Sequence, residues 1–217
     1  MDAAPAMPPC LLVGLTGGVG AGKSTAEQAL RAHHIPVADA DQWAHAVLDQ
    51  EHQAQRAIRE YFMAHHDLDP LRPDGTIDRA ALARIVFHDA AALAFLEGVV
   101  HPCVRRRADA WIAAQRAACV PLAAMIVPLL FERGMDAQCQ ATIAIVAPPA
   151  LRCRRLHAAR GWAPAHSAAR MRHQLADAMR AQRATYVVSN AGSRDALGRA
   201  LHAVLHDLRR HPPGPAR

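Results

Sequence analysis

The chain has 217 residues, a formal net charge of +6 and a composition that is 52% hydrophobic but only 4% aromatic. This balance is typical of one globular unit with a sizeable core, and it excludes disordered, fibrous and collagenous proteins. The longest apolar run, residues 119–131, contains two prolines and falls short of the roughly 20 residues needed to cross a bilayer, so we expect no membrane partner.

The N-terminus and the cysteines both indicate a cytoplasmic protein. The chain opens with Met1-Asp2 and lacks the cationic start and the cleavage pattern of a secretory signal. Its five cysteines form no C-x-x-C pair, and their odd number fits neither a disulfide framework nor a zinc site. We expect buried free thiols at Cys10, Cys103, Cys119, Cys139 and Cys153.

Basic residues are concentrated in the last third of the chain. Residues 147–217 contain 13 arginines and three acids, whereas residues 1–146 contain 12 basic and 16 acidic residues. A positive field of this kind binds nucleic acid, an anionic surface or a phosphorylated small molecule. Because aromatic side chains that would stack on bases are scarce, we expect a phosphorylated small molecule and no nucleic-acid partner.

The first elements read in chain order are a strand, a glycine loop and a helix. Residues 10–16 form a short apolar run that is followed at once by glycines, and residues 23–33 have a helical pattern. Residues 35–39 predict a second strand with Asp39 and Asp41 at its carboxyl end. Ligands of open α/β sheets gather at that end.

The remaining elements predict an α/β fold. Residues 42–116 are helical in period, with breaks near 69–70 and 72–75, and so form a helical insertion between strands. Three more strands are predicted at 122–127, 141–146 and 186–188. Three more helices are predicted at 148–157, 164–183 and 195–210, and residues 211–217 form a disordered tail. Strands alternating with helices indicate a five-stranded parallel sheet with helices on both faces.

The glycine loop, GGVGAGKST at residues 17–25, matches the pattern G-x-x-x-x-G-K-[ST] between a predicted strand and a predicted helix. Its glycines let several N–H groups converge on phosphate oxygens, and Lys23, the only lysine of the chain, reaches the β and γ phosphates. Ser24 offers its hydroxyl to Mg²⁺, and Thr25 lies near the α phosphate. We therefore expect a nucleoside triphosphate bound by Gly18, Val19, Gly20, Ala21, Gly22, Lys23, Ser24 and Thr25.

Two absences narrow the class of enzyme. A guanine-reading Asn-Lys-x-Asp motif cannot occur when the only lysine lies in the phosphate loop. The sequence therefore argues against a GTP switch protein of the usual kind. The strands at 122–127 and 141–146 run into Pro128 and Pro148 rather than into the acidic residue of ATPase motors.

The acids nearest the loop are therefore Asp39 and Asp41. A carboxylate here accepts a proton from an acceptor hydroxyl or orients Mg²⁺ through water, although one of the two could instead cap the helix that starts near Gln42. Alternation along an extended segment would put both on the same side. We favour Asp41 as the catalytic base that also contacts the acceptor, with Lys23 as a further catalytic residue. Asp39 and Ser24 are expected to bind the metal.

The chain resembles the dephospho-coenzyme A kinase family. The resemblance covers about residues 11–208, and it rests on five blocks in family order: residues 15–25, 37–41, 74–87, 100–102 and 127–132. The last two match the His-Pro and Val-Pro-Leu-Leu-x-Glu signatures of that family. The phosphate loop is shared by many proteins, but the whole set is specific.

The resemblance implies an activity and a division of the chain. The family transfers the γ-phosphoryl group of ATP to the ribose 3′-hydroxyl of dephospho-coenzyme A, and its general base maps onto Asp41. It implies a single P-loop NTPase-type domain over residues 1–217, comprising a nucleotide-binding core, a helical acceptor-binding insertion and an Arg-rich helical lid. The core comprises about residues 10–41, 119–147 and 184–210. The insertion covers about residues 42–118, and the lid about residues 148–183.

The chain departs from the family pattern in the lid. Ala159 stands where the family has an arginine, and Arg160 substitutes from the next position. The family aspartate before Asn190 is replaced by Ser189, so only Asn190 carries over toward the adenine pocket. An arginine over the transferring phosphoryl stabilises developing charge, and the candidates are Arg152, Arg155 and Arg160, of which Arg160 is taken as catalytic.

The acceptor side offers fewer signals. His101 contacts the acceptor or merely satisfies a backbone group near a helix start, and Arg107 is the favoured member of the run 105–107. Glu132 lies near the acceptor or pairs with Arg133. Trp111 and Trp162 are expected to serve in packing.

Three functions remain open from the residues: the coenzyme A kinase, another P-loop kinase acting on a nucleoside, nucleotide or other small molecule, and a nucleotide-dependent nucleic-acid-binding module. The first implies ATP and dephospho-coenzyme A as small-molecule partners, with Mg²⁺. We expect a monomer, with weak self-association as the alternative.

Overall fold

A computed structural model describes residues 10–172 and 174–214. The chain forms two compact units. The sheet unit is built from the described residues of Met1–Asp39 and Ala114–Arg217, and the helical unit is Ala40–Ala113.

The sheet unit contains five parallel strands in the order β2-β3-β1-β4-β5. Leu15 at the centre of the sheet lies opposite Ile126 on one side and Ile143 on the other. Because all strands are parallel, their carboxyl ends share one edge of the sheet, where ligands of such sheets bind. The strands are β1 Leu11–Gly17, β2 Val37–Asp39, β3 Leu122–Ile126, β4 Ala141–Val146 and β5 Tyr186–Ser189.

The helices complete both units. Central strands β1 and β3 are buried along their whole length, as expected when helices cover both faces of a parallel sheet. Leu30 and Leu201, from the first and last helices, belong to the same apolar core as these strands. The helices are α1 Lys23–Ala32, α2 Ala40–Gln50, α3 His52–His66, α4 Arg79–Val86, α5 Ala90–Ala117, α6 Pro149–Arg160, α7 Pro164–Arg172, α8 Asp177–Arg183 and α9 Arg194–Arg210, with a 3₁₀ helix at Met135–Gln138.

The helical unit packs around its own apolar residues. Ile58 and Phe62 on α3 are completely buried. The Asp78 side chain caps α4 by accepting hydrogen bonds from the N–H groups of Ala80 and Ala81. Pro102 lies inside α5, where it has no N–H to donate to the carbonyl one turn earlier.

The sequence-based prediction of a five-stranded parallel sheet covered by helices is confirmed, but two local predictions are wrong. A single helix over 164–183 is in fact α7 and α8, because residues 174–176 are not helical and the Leu175 N–H donates to the side chain of Glu132 instead of to a carbonyl of the preceding turn. Helix α2 begins at Ala40, so Asp39 and Asp41 do not lie on one extended segment and the alternation argument fails.

Smaller differences concern helix ends and the termini. Helix α6 runs three residues past the predicted end at 157 and stops where Gly161 adopts a left-handed conformation, with φ of 66°. Residues 211–214 have no helix or strand. The rest of the predicted tail, 215–217, and the N-terminal residues 1–9 lie outside the described residues.

Two other expectations concerned buried free thiols and the absence of a membrane-spanning helix. All five cysteines are free, but only Cys10, Cys103 and Cys139 are buried, while Cys119 is exposed and Cys153 is intermediate. Burial, together with the nearby charge of Asp136, raises the pKa of the Cys139 thiol to about 12. Within the described ranges, no helix has both the length and the apolar character to span a bilayer.

Candidate active site

The phosphate loop leaves the carboxyl end of β1 and turns tightly into α1. Gly20 and Gly22 have positive φ values of 75° and 105°, a conformation that side chains other than hydrogen rarely tolerate. The Ala21 N–H donates to the Gly18 carbonyl at 3.0 Å and closes a turn between them. A short backbone segment of this kind forms a nest of N–H groups that binds anions.

Side chains hold the carbonyl groups of this loop. Lys23 Nζ donates to the carbonyl oxygens of Gly17 at 2.8 Å and Gly18 at 3.4 Å. Asn190 Nδ2 donates to the Ala21 carbonyl at 2.8 Å. The loop is therefore braced by the only lysine of the chain and by an amide from the end of β5.

Two glycines of the loop are also required by close packing. A Cβ on Gly18 would overlap the guanidinium of Arg152, and a Cβ on Gly22 would overlap the side-chain amide of Asn190. The glycines thus admit neighbouring side chains as well as phosphates. This second role is invisible in the motif itself.

Arg152 packs against the loop. Its side chain is nearly buried, with its Nε donating to the Val19 carbonyl at 2.8 Å and its Nη1 donating to Asp177 Oδ2 at 2.8 Å. The sequence singled out Arg152 only as one lid arginine among three. In the structure it joins α6 to both the phosphate loop and α8.

Asp177 is shared by two arginines. Its second oxygen accepts a hydrogen bond from Arg180 Nη1 at 2.7 Å, and Arg180 is completely buried. Burial lowers the pKa of the Arg180 guanidinium from its usual value, while the charges of Asp177 and Glu132 oppose that shift. Glu132 Oε1 lies 3.7 Å from Arg180 Nη2 and accepts a hydrogen bond from the Leu175 N–H at 2.9 Å.

This cluster of Arg152, Asp177, Arg180 and Glu132 was not predicted. One signal was present: Asp177 is the only acidic residue in 148–183, a stretch with eight arginines. A single carboxylate among so many cations is a strong candidate for pairing. For Glu132 the sequence predicts the acceptor or Arg133 as its neighbour, whereas the structure shows contacts with Leu175 and Arg180.

The two predicted acids occupy different elements. Asp39 is the last residue of β2 and is half-buried, at the edge of the sheet where the phosphate loop also begins. Asp41 is exposed in the first turn of α2, within the helical unit. A carboxylate in the first turn is favoured by the helix dipole, and the choice between a catalytic and a capping role for Asp41 stays a prediction.

The predicted acceptor residues both lie on α5. His101 is exposed and sits inside this 28-residue helix, so it does not lie near a helix start, and its role stays a prediction. Arg107 Nε donates to Glu51 Oε1 at 2.9 Å. Burial opposes ionisation of Glu51, but hydrogen bonds from Arg107 and Cys103 and the charges of Arg107 and Arg106 outweigh it, so the pKa of Glu51 is lowered.

The other two lid arginines differ in their surroundings. Arg155 Nη2 donates to Asn190 Oδ1 at 3.4 Å, and its Nη1 is buried with no hydrogen-bond partner in the described part of the chain. Arg160 is exposed at the end of α6, with its guanidinium carbon 5.1 Å from the ring centroid of Trp162. Trp162 also stacks on His166, with ring centroids 4.6 Å apart, so it packs against polar rings and cations rather than in the core.

The fold and the loop together define a class. A glycine loop that carries Lys23 and Ser24, placed between a parallel strand and a helix, is the phosphate-binding site of P-loop proteins. Residues 11–195 match the family described as dephospho-CoA kinase. The chain belongs to the dephospho-CoA kinase family.

Individual relatives agree over almost the whole chain. A dephospho-CoA kinase of Anaeromyxobacter dehalogenans is 40% identical over 91% of this chain and 92% of its own length. One of Lactobacillus johnsonii is 35% identical over 91% of this chain and 98% of its own length. A crystal structure from Thermus thermophilus superposes with a TM-score of 0.76 at 37% identity, covering 92% of this chain and 98% of the other.

The shared carboxylate of Asp177 gives a test of the cluster. We expect Asp177→Asn to lower the free energy of unfolding by about 3 kcal/mol, because it leaves two buried arginines without their common counter-charge. Chemical denaturation followed by circular dichroism measures the change. Asp195→Asn, which also removes an acid from the first turn of a helix but at an exposed position, is the control, and an equal loss in both variants would contradict the role of the cluster.

Proposed function

We propose that the protein transfers the γ-phosphoryl group of ATP to the ribose 3′-hydroxyl of dephospho-coenzyme A, giving coenzyme A and ADP. The observation that carries this proposal is the family match over residues 11–195, which includes an intact, braced phosphate loop. Relatives named dephospho-CoA kinase extend over nine-tenths of the chain. Another P-loop kinase activity remains an outcome of the test below.

The phosphate loop supports the nucleotide part of the proposal. Converging N–H groups and the N-terminus of α1 bind the phosphates of ATP, and the Lys23 ammonium neutralises charge on the β and γ groups. In the reaction the bond between the γ phosphorus and its bridging oxygen breaks, and a bond from the acceptor 3′-oxygen forms. ADP leaves with the electron pair of the broken bond.

The residues present fit a magnesium ion. Ser24 at the start of α1 and Asp39 at the end of β2 offer hard oxygen atoms of the kind that Mg²⁺ prefers. Residues 10–172 and 174–214 hold no group of three or more metal-ligating side chains, and Mg²⁺ in kinases takes most of its ligands from phosphates and water. When bound, it would neutralise charge on the phosphates.

The acceptor part of the proposal rests on the helical unit. Asp41, two residues after the end of β2, accepts the proton of the attacking 3′-hydroxyl. His101 and Arg107 on α5 bind the acceptor, and Glu51 fixes the orientation of the Arg107 guanidinium through a hydrogen bond. We further propose a cytoplasmic monomer.

The activity has a direct test. We expect the purified protein to release ADP from Mg-ATP only when dephospho-coenzyme A is present, and the product to be heavier by one phosphoryl group. Coupled spectrophotometry and mass spectrometry measure the two. Lys23→Ala, which removes the phosphate clamp, is the inactive control. If the wild-type protein binds ATP but its ADP release does not increase with dephospho-coenzyme A, the proposal fails and another small-molecule kinase activity takes its place.

Asp41 is tested by removing its charge. We expect Asp41→Asn to lower kcat by about 10²-fold to 10⁴-fold, as for loss of a general base, while the KM for ATP stays close to that of the wild type. Steady-state kinetics with each substrate varied make the comparison. Asp49→Asn removes another carboxylate from the same helix and should be near wild type, and an Asp41→Asn enzyme with normal kcat would refute the assignment.

The lid arginine is tested by two matched variants. The sequence favours Arg160. The Nη1 of Arg155, which is buried and has no hydrogen-bond partner among the described residues, and the contact of Arg155 with Asn190 support Arg155 as the one that contacts the nucleotide. We expect Arg155→Met to lower kcat/KM for ATP by about tenfold or more, the effect of a lost charged hydrogen bond, and Arg160→Met to have the smaller effect. The reverse order would assign the role to Arg160.

A further inference from the structure

Gln174 reaches the phosphate loop from the connection between α7 and α8. Its Oε1 accepts a hydrogen bond from the backbone N–H of Val19 at 2.8 Å. The carbonyl oxygen of Val19 accepts a hydrogen bond from Arg152 Nε, also at 2.8 Å. Both polar groups of the Val19 backbone are therefore held by side chains from two separate parts of the region 148–183.

We infer that Gln174 is a positioning residue for the nucleotide phosphates and acts through the backbone of Val19. The inference rests on the nucleotide part of the proposed function. It does not depend on which acceptor receives the phosphoryl group.

The position of Val19 explains why holding it matters. Val19 lies between Gly18 and Gly20, and the loop bends at Gly20 with a positive φ. Glycines have more conformational freedom to lose than other residues, so an unrestrained loop would pay an ordering entropy on binding phosphates. When the backbone of Val19 is fixed, the N–H groups of the loop that follow the bend at Gly20 already have their direction before phosphate binds.

Gln174 can be removed more cleanly than Arg152. Arg152 also pairs with Asp177, so its replacement would disturb a buried ion cluster. Gln174 is neutral and half-buried, and its neighbour Leu175 anchors the same segment independently through the hydrogen bond from its N–H to Glu132. A change at Gln174 should therefore release Val19 while the α7–α8 connection stays in place.

The test uses Gln174→Met, which keeps the length of the side chain but removes the acceptor. Gln182→Met is the matched control, because Gln182 is exposed on α8. We expect Gln174→Met to weaken ADP binding and raise the KM for ATP by about fivefold each, the effect of one neutral hydrogen bond. The KM for dephospho-coenzyme A and the melting temperature should match those of Gln182→Met.

A second measurement follows the peptide itself. In the nucleotide-free protein labelled with ¹⁵N, amide exchange at Val19 should become faster in Gln174→Met and stay as in the wild type in Gln182→Met. Calorimetric titration with ADP gives the affinity without any turnover. If the wild type shows no acceptor-dependent activity, the proposed acceptor fails, yet the ADP titration and the exchange still decide the role of Gln174.

Three results would overturn the inference. Unchanged ADP affinity in Gln174→Met would mean that the hydrogen bond does not prepare the loop for phosphates. Weaker ADP binding without faster exchange at Val19 would mean that the effect does not run through that peptide. A fall in melting temperature together with a raised KM for the acceptor would assign Gln174 to general folding of the region.

Discussion

The arrangement around the phosphate loop depends on the contacts of the Arg152 guanidinium. This guanidinium lies on Gly18, holds the carbonyl of Val19 and pairs with Asp177. A buried charge must be neutralised, so Arg152 requires Asp177. The carboxylate of Asp177 in turn stabilises Arg180, whose guanidinium also approaches Glu132 at the end of the segment after β3. The phosphate loop, α6, α8 and the segment that follows β3 are thus joined by one continuous set of charges.

This connection explains the composition of the phosphate loop beyond its motif. A loop that only wrapped phosphates would need backbone freedom at the positions with positive φ, Gly20 and Gly22. Gly18 and Gly22 are additionally needed because a guanidinium and an amide occupy the space of their missing side chains. The same loop therefore faces two demands, one from the nucleotide and one from the protein that surrounds it.

The sequence predicted those features that depend on local patterns. Apolar runs such as Leu122–Ile126 indicated buried strands, and the spacing of glycines before Lys23 indicated the phosphate loop. It did not predict the break between α7 and α8, because the Leu175 N–H in that break donates to Glu132, a residue far away in the chain. Nor could it predict the complete burial of Arg180, since arginine is almost never buried unless it is paired. Asp177 is only three residues away on α8, but Glu132 becomes a neighbour only in the fold.

The single lysine has a consequence for the chemistry of the whole protein. All other cationic side chains that are permanently charged are arginines, which resist the acylating reagents that attack primary amines. The only side-chain amine of this chain lies against the carbonyls of Gly17 and Gly18, in the loop that binds phosphate. Apart from the terminal amine, acylation of amines would therefore mark one atom per molecule, the Lys23 Nζ in the phosphate loop.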